Sequence, residues 1–238
     1  MRCIFAGIEY AGKSTLIDLL ARYYQRRGRR AHVDDHFSIP DSTLSPESRA
    51  AMVEFPNDVK ERMQRMQINY HIEVIKNYEN VLLGGWHLEE AIYSSVYGSD
   101  PDSAYYPNYW HGVQRIYETR VLEDRLPDIV LVHISASDEA IAARMRAQPH
   151  PYQIIKEKDI PDLKRRFEEE VEASLFCWGG RRIDLDTTDK TPQQSLDEVL
   201  ERSEPLVTAG EAALRAIPVP DGDFTIRYRD GVREMVAV

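Results

Sequence analysis

Eight residues near the start of this chain constrain its fold more than anything else in it. Gly7-Ile8-Glu9-Tyr10-Ala11-Gly12-Lys13-Ser14 satisfies G-x-x-x-x-G-K-[ST], and the run Arg2 to Ala6 before it reads as a β-strand. A helical pattern from about Lys13 to Gln25 follows, with Leu16, Leu19 and Leu20 on its apolar face and Gly28 placed to end it. In that setting the octapeptide has a mechanical meaning. Its glycines let backbone N–H groups curl around phosphate oxygens, and the helix N-terminus adds partial positive charge. Lys13 neutralises the terminal phosphates, and the Ser14 hydroxyl can ligate Mg²⁺. Gly7, Ile8, Glu9, Tyr10, Ala11, Gly12, Lys13, Ser14 and Thr15 are the candidate nucleotide contacts, with ATP and Mg²⁺ as expected cofactors. The pattern alone does not separate one class of nucleotide-using protein from another.

Beyond the loop, short β-like runs alternate with longer helical patterns, which predicts an α/β fold with a mainly parallel sheet. Strands are expected at Ala31–Val33, Asn80–Leu83, Asp128–Ile134 and Arg182–Leu185. Helices are expected over Asn57–Tyr78, Asp138–Arg146, Leu163–Ser174 and within Pro192–Arg215. In the long Asn57–Tyr78 pattern, Val59, Met63, Met66, Tyr70 and Val74 fall close to one face, while Gly84-Gly85-Trp86-His87 reads as a loop. The tail alternates, turns at Asp230-Gly231 and alternates again, the signature of a hairpin. One main domain over 1–215, with a lid at about 144–182, and a hairpin appendage over 216–238 is the economical division.

The chain has 238 residues, with 30 basic and 40 acidic side chains giving a net charge of −10. That balance argues against general binding to nucleic-acid backbones or anionic lipid. No apolar run approaches the roughly 20 residues of a membrane-spanning helix. Cys3 and Cys177 are far apart and without metal-ligand spacing, and the first residues carry no secretory pattern, so a reducing cytoplasm is the expected location. A homodimer is left open.

Phe5-Ala6-Gly7-Ile8-Glu9-Tyr10-Ala11-Gly12-Lys13-Ser14-Thr15 resembles the opening of thymidylate kinases, F-E-G-[LI]-[DE]-G-x-G-K-[ST]-T, with Ala6 replacing an acid and Tyr10 replacing glycine. Leu83 to Tyr93 stands where that family has its D-R-[YF]…S-x-x-A-Y segment, and Pro127-Asp128-Ile129-Val130-Leu131 resembles its P-D-L-x-L strand. The likeness extends over roughly residues 1–205. It implies a three-layer P-loop NTPase fold of the nucleotide-kinase kind, and a Mg-ATP-dependent phosphotransferase acting on a nucleoside, nucleotide or related hydroxylated small molecule. Gly84 and Gly85 replace the family's acid and arginine, which favours an alcohol over a monophosphate as acceptor. A nucleotide-binding regulatory protein with slow ATP hydrolysis is the alternative, kept because no acid ends the strand at Leu83.

Transfer to an alcohol is helped by a carboxylate that takes its proton. Asp34 and Asp35 end the second expected strand beside the phosphate loop, and Val33 to Phe37 resembles the D-D-F-[YF] segment of uridine and nicotinamide riboside kinases, which implies a base role for one aspartate. Asp35 is preferred over Asp34; an Asp pair capping a turn is the plainer reading. Glu9 is a further candidate near acceptor and metal. His36, His87, Glu89 and Glu90 flank the same expected crevice, and Trp86, Tyr93, Tyr97 and the Tyr105/Tyr106/Tyr109/Trp110 cluster are either core or a surface for stacking a base. In the expected lid, Arg144 or Arg146 is the candidate catalytic cation, with Lys164, Arg165 and Arg166 further along. By the fold resemblance, Asp186-Thr187-Thr188 lies against adenine.

Overall fold

The computed structural model describes residues 1–34, 44–97, 123–126, 128–150, 155–177, 180–219, 224–229 and 232–237. Its main sheet has five strands, β1 (Arg2–Ala6), β2 (His32–Asp34), β3 (Val81–Gly84), β4 (Val130–Ser135) and β5 (Arg182–Asp186), in the order β2-β3-β1-β4-β5. Every pairing is parallel. β1 sits in the middle between β3 and β4, so the loop that leaves it opens at the C-terminal edge of the sheet, where open α/β sheets collect ligands.

The alternation of side chains along the central strands divides the core in two. Cys3, Phe5, Leu82, Val130 and Val132 enter one apolar cluster, and Ile4, Ala6, Val81, Leu83 and Leu131 enter the other. Strands buried on both faces need helices on both sides, which makes three layers. α1 (Lys13–Arg26) covers the first face with α5 (Asp138–Ala147), α6 (Ile160–Ala173) and α7 (Pro192–Ser203), through Leu16, Leu20, Ile141, Leu163, Phe167 and Val199. α3 (Asn57–Asn77) covers the second through Ile68, Ile72 and Ile75. α4 (Trp86–Tyr97) serves both, with Ile92 and Tyr93 on one side and Leu88 and Ala91 on the other. A short α2 (Pro46–Val53), capped by Ser45, precedes α3, and α8 (Ala209–Arg215) follows α7. Strands β6 (Phe224–Arg229) and β7 (Val232–Ala237) form the expected antiparallel hairpin.

Three local expectations change. β2 runs one residue later than expected and includes Asp34. Gly84 to His87 is not a free loop: β3 continues through Gly84, and Gly85 and Trp86, both at positive φ, turn the chain at once into α4. The buried face of α3 is Ile68, Ile72, Val74 and Ile75, so of the expected stripe Val74 is buried and Met63 half-buried, whereas Val59, Met66 and Tyr70 are exposed. Spacing alone offers two apolar faces on this helix, and the sheet takes the β-branched one.

Candidate active site

β1 delivers the phosphate loop directly from the core, and two backbone positions shape it. At Gly7 the loop passes so close to β4 that a Cβ would meet the Ile134 carbonyl oxygen. Gly12, at φ +107 just before α1, is the left-handed residue that lets the chain turn into the helix. Tyr10 also adopts a left-handed φ, +67, where the resembling family has glycine. Its conformation is held from outside: the Tyr10 hydroxyl accepts from the His150 N–H at 2.9 Å, and its carbonyl accepts from Arg144 Nη1 at 3.1 Å.

Lys13 is buried at the centre of the loop. Its ammonium donates to the Gly7 carbonyl at 2.6 Å and pairs with Glu89 at 2.9 Å and Glu9 at 3.6 Å. Glu89 comes from the first turn of α4 and reaches back beneath the loop, where it also accepts from the Gly7 N–H. Burial pushes the Glu89 carboxyl up to about 8, and the neighbouring Glu9 adds to that against the pull of Lys13. This carboxylate stands where the sequence left the acid unassigned at the end of β3. Gly85 makes room for it, since a Cβ there would run into the Glu89 side chain.

A cavity of about 450 Å³ opens over the loop, lined by Glu9 to Thr15 together with Arg144, Thr187, Lys190 and Ser195. That volume is of the order of small-ligand sites, roughly 300–1,000 Å³. Ser14 and Thr15 are exposed on its wall, and nothing lies within 4 Å of a Cβ built at Gly12, so the loop leaves room for phosphates. Gly7 and Ile8 support the loop from behind, Ile8 being buried. Of the Asp186-Thr187-Thr188 turn, only Thr187 lines the cavity. Its hydroxyl donates to the Ala11 carbonyl at 2.7 Å, while Asp186 accepts from the Thr188 N–H and hydroxyl, which hold its carboxyl below the usual range.

The two arginines expected to reach the transferring group part company. Arg144 bridges Tyr10 and Thr187: besides the Tyr10 carbonyl it donates to the Thr187 carbonyl at 2.7 Å and to its hydroxyl at 3.1 Å. It stands in the cavity wall as a clamp on the loop. Arg146 points away, exposed and paired with Glu157 at 2.7 Å. Lys164 is tied to Asp138, Arg165 to Asp162 and Glu169, and Arg166 to Asp162, so this basic run is met by its own acids.

Among the aromatic candidates, Trp86, Tyr93 and Tyr97 are core, not a stacking surface. Tyr93 nonetheless touches the site, because its hydroxyl accepts from the Glu9 N–H at 2.9 Å. His87 is buried against Glu123 at 3.1 Å, and Glu123 also accepts from the Ser174 hydroxyl at 2.9 Å and the Leu175 N–H. That network fastens α4 to the end of α6. Asp34 lies at the outer edge of the sheet with its carboxylate 2.9 Å from His71. Asp35, His36 and the Tyr105 to Trp110 cluster lie outside the described residues.

No family model and no curated protein matches the sequence. Solved structures do match in fold. Thymidylate kinase from Candida albicans shares 14% identity at a TM-score of 0.58, covering 85% of this chain and 90% of its own. Deoxyadenosine kinase from M. mycoides with bound dATP shares 15% at 0.57, covering 85% and 98%. The YorR protein from Bacillus subtilis in complex with phosphorylated GDP shares 15% at 0.55, covering 87% and 99%. With its central β1, its glycine loop and helices on both faces of a parallel sheet, the chain has the fold of the P-loop nucleoside and nucleotide kinases.

Proposed function

We propose that the protein is a P-loop phosphotransferase that moves the γ-phosphoryl group of ATP to a hydroxyl of a nucleoside or related small molecule. The observation that carries this reading is the buried Lys13–Glu89 pair beneath a glycine loop that opens onto a cavity of about 450 Å³. A purely structural lysine has no need of a glycine loop that keeps the space above it open. On this reading ATP phosphates accept hydrogen bonds from loop N–H groups at the start of α1 and draw the Lys13 ammonium upward, which frees Glu89. Glu89, whose burial raises its proton affinity, then takes the hydroxyl proton of the acceptor in its ionised form, so kcat is expected to rise with pH through about 8. Ser14 fits a Mg²⁺ ligand, since its hydroxyl stands in the cavity wall beside Lys13. Bound Mg²⁺ supplies neutralisation of the phosphate oxygens. Arg144 and Thr187 hold the loop in shape and close the nucleoside side of the cavity.

The test is acceptor-dependent ADP release across nucleosides, nucleoside monophosphates and sugars, with wild type, Lys13→Ala, Glu89→Gln, Asp34→Asn and Asp35→Asn. The expected result is turnover with an alcohol acceptor, its loss in Lys13→Ala and a kcat lowered about 10²- to 10⁴-fold in Glu89→Gln with ATP binding retained. Loss of that size in Asp35→Asn alone returns the base to Asp35. ADP release indifferent to every acceptor overturns the reading.

A further inference from the structure

At one edge of the sheet, β2 is three residues long and among the described residues pairs with β3 alone. Alternation puts His32 and Asp34 on the same face of it, and α3 lays His71 across that face. His71 Nε2 is 2.9 Å from Asp34 Oδ2, and the His32 and His71 ring centroids are 5.6 Å apart. One donor atom from each of the three residues lies within 4.8 Å of the other two.

The orientation of His71 is informative. Its Nδ1 is 2.8 Å from the Gln67 carbonyl oxygen, which can only accept, so Nδ1 carries a proton and Nε2 is the atom turned to the cluster. A ring held through one nitrogen by a backbone carbonyl, with the other turned to a carboxylate and a second imidazole, has the outer-shell arrangement of metal-ligating histidines. His32 adds a second observation: its Nε2 is buried and has no hydrogen-bond partner among the described residues, a state that calls for one.

We propose that His32, Asp34 and His71 form a binding site for a first-row divalent transition metal of the zinc class, fastening α3 to the edge strand. Two imidazoles and one carboxylate suit Zn²⁺, Co²⁺ or Ni²⁺ and disfavour Mg²⁺, which takes oxygen ligands, so the site is chemically distinct from the phosphate loop. Metal–ligand bonds of about 2.0–2.1 Å set tetrahedral donor atoms roughly 3.3 Å apart. The 2.9 Å between Asp34 and His71 and the 4.8 Å bound on the other pairs are compatible with that value. The site stands independently of the phosphotransfer reading, because none of its residues lines the cavity over the loop.

The experiment uses the full chain, freed of metal by chelator and kept without nucleotide. Zn²⁺ is titrated calorimetrically, Co²⁺ is followed by its visible ligand-field bands, and Tm is read with and without Zn²⁺. The expected result is one saturable equivalent and a Tm raised by Zn²⁺. Affinity falls at least about tenfold in both His32→Gln and His71→Gln, with the Co²⁺ bands lost, while Ser14→Ala binds as wild type. Because His32 is half-exposed, His32→Gln decides the matter if His71→Gln fails to fold. Absence of saturable binding, or binding unchanged in His32→Gln, overturns the proposal and leaves the cluster an Asp34–His71 ion pair only.

Discussion

At position 85 the backbone sits at φ +71, and a methyl group there would strike the Glu89 carboxylate. Two constraints therefore meet on one residue: the left-handed turn out of β3, and the space that lets α4 return an acid to the phosphate loop. Gly85→Ala is expected to cost about 1–2 kcal/mol of stability in denaturant unfolding, from the left-handed backbone alone. It should also displace Glu89 and lower kcat at least about tenfold. A variant that loses stability but keeps kcat would detach Gly85 from the chemistry. Glu89 itself gives a pH signature. Its carboxyl is raised from the ordinary range to about 8, so between roughly pH 4.5 and 8 the folded protein holds a proton that the unfolded chain has released. Its contribution to stability is present below that window and is lost as pH rises through it. Wild-type Tm is accordingly expected to fall across this range relative to Glu89→Gln, and parallel curves would refute the burial argument. Lys13 and its glycines could be read from the octapeptide because the motif fixes both spacing and role. Glu89 could not be singled out among Glu9, Glu89 and Glu90, since its return to the loop depends on the Gly85-Trp86 turn, and positive φ at Trp86 has no signature in sequence.

α5 brings Arg144 to the point where the phosphate loop and the β5 turn meet, and the guanidinium closes that junction with bonds to Tyr10 and Thr187. With its guanidinium already bonded to Tyr10 and Thr187, Arg144 is proposed to shape the site over the loop. Arg144→Ala is therefore expected to raise KM for ATP about tenfold or more while kcat changes less. Arg146→Ala, whose side chain is paired with Glu157 at the surface, should change neither measurably. A fall in kcat at constant KM in Arg144→Ala would restore the role of catalytic cation that its place in the chain suggested. The same contrast runs through the elements. The strands and helices from β4 to α7 could be placed from sequence within a residue or a few, because caps such as the Thr191–Gln194 box at α7 mark helix starts by local chemistry. The buried face of α3 could not, because Val59, Met66 and Tyr70 make a second apolar stripe that only the position of the sheet rejects. Arg144 was visible as a cation near the site, but its direction is set by Tyr10 and Thr187, 134 and 43 residues away in the chain.

Across the whole molecule, β1 joins the ligand site to the core with no intervening linker: Phe5 and Ala6 are fully buried, and Lys13 begins the helix that covers the Phe5 face of the sheet. Binding at the loop should thus stabilise the entire sheet domain. For a ligand that binds only the folded state, a concentration 100 times Kd adds about 2.7 kcal/mol. In a chain of this length each kcal/mol is worth roughly 2–4 °C in Tm. Mg-ATP at that excess is expected to raise Tm by about 5–11 °C, and the gain should grow with the logarithm of concentration. Lys13→Ala should lose most of the gain at the same ATP concentration, because the loop's N–H groups alone then face the phosphate charge. It should fold without nucleotide, since removing Lys13 leaves Glu89 free to stay protonated. A shift of equal size in Lys13→Ala and wild type would place ATP away from the loop and remove the basis for phosphotransfer there.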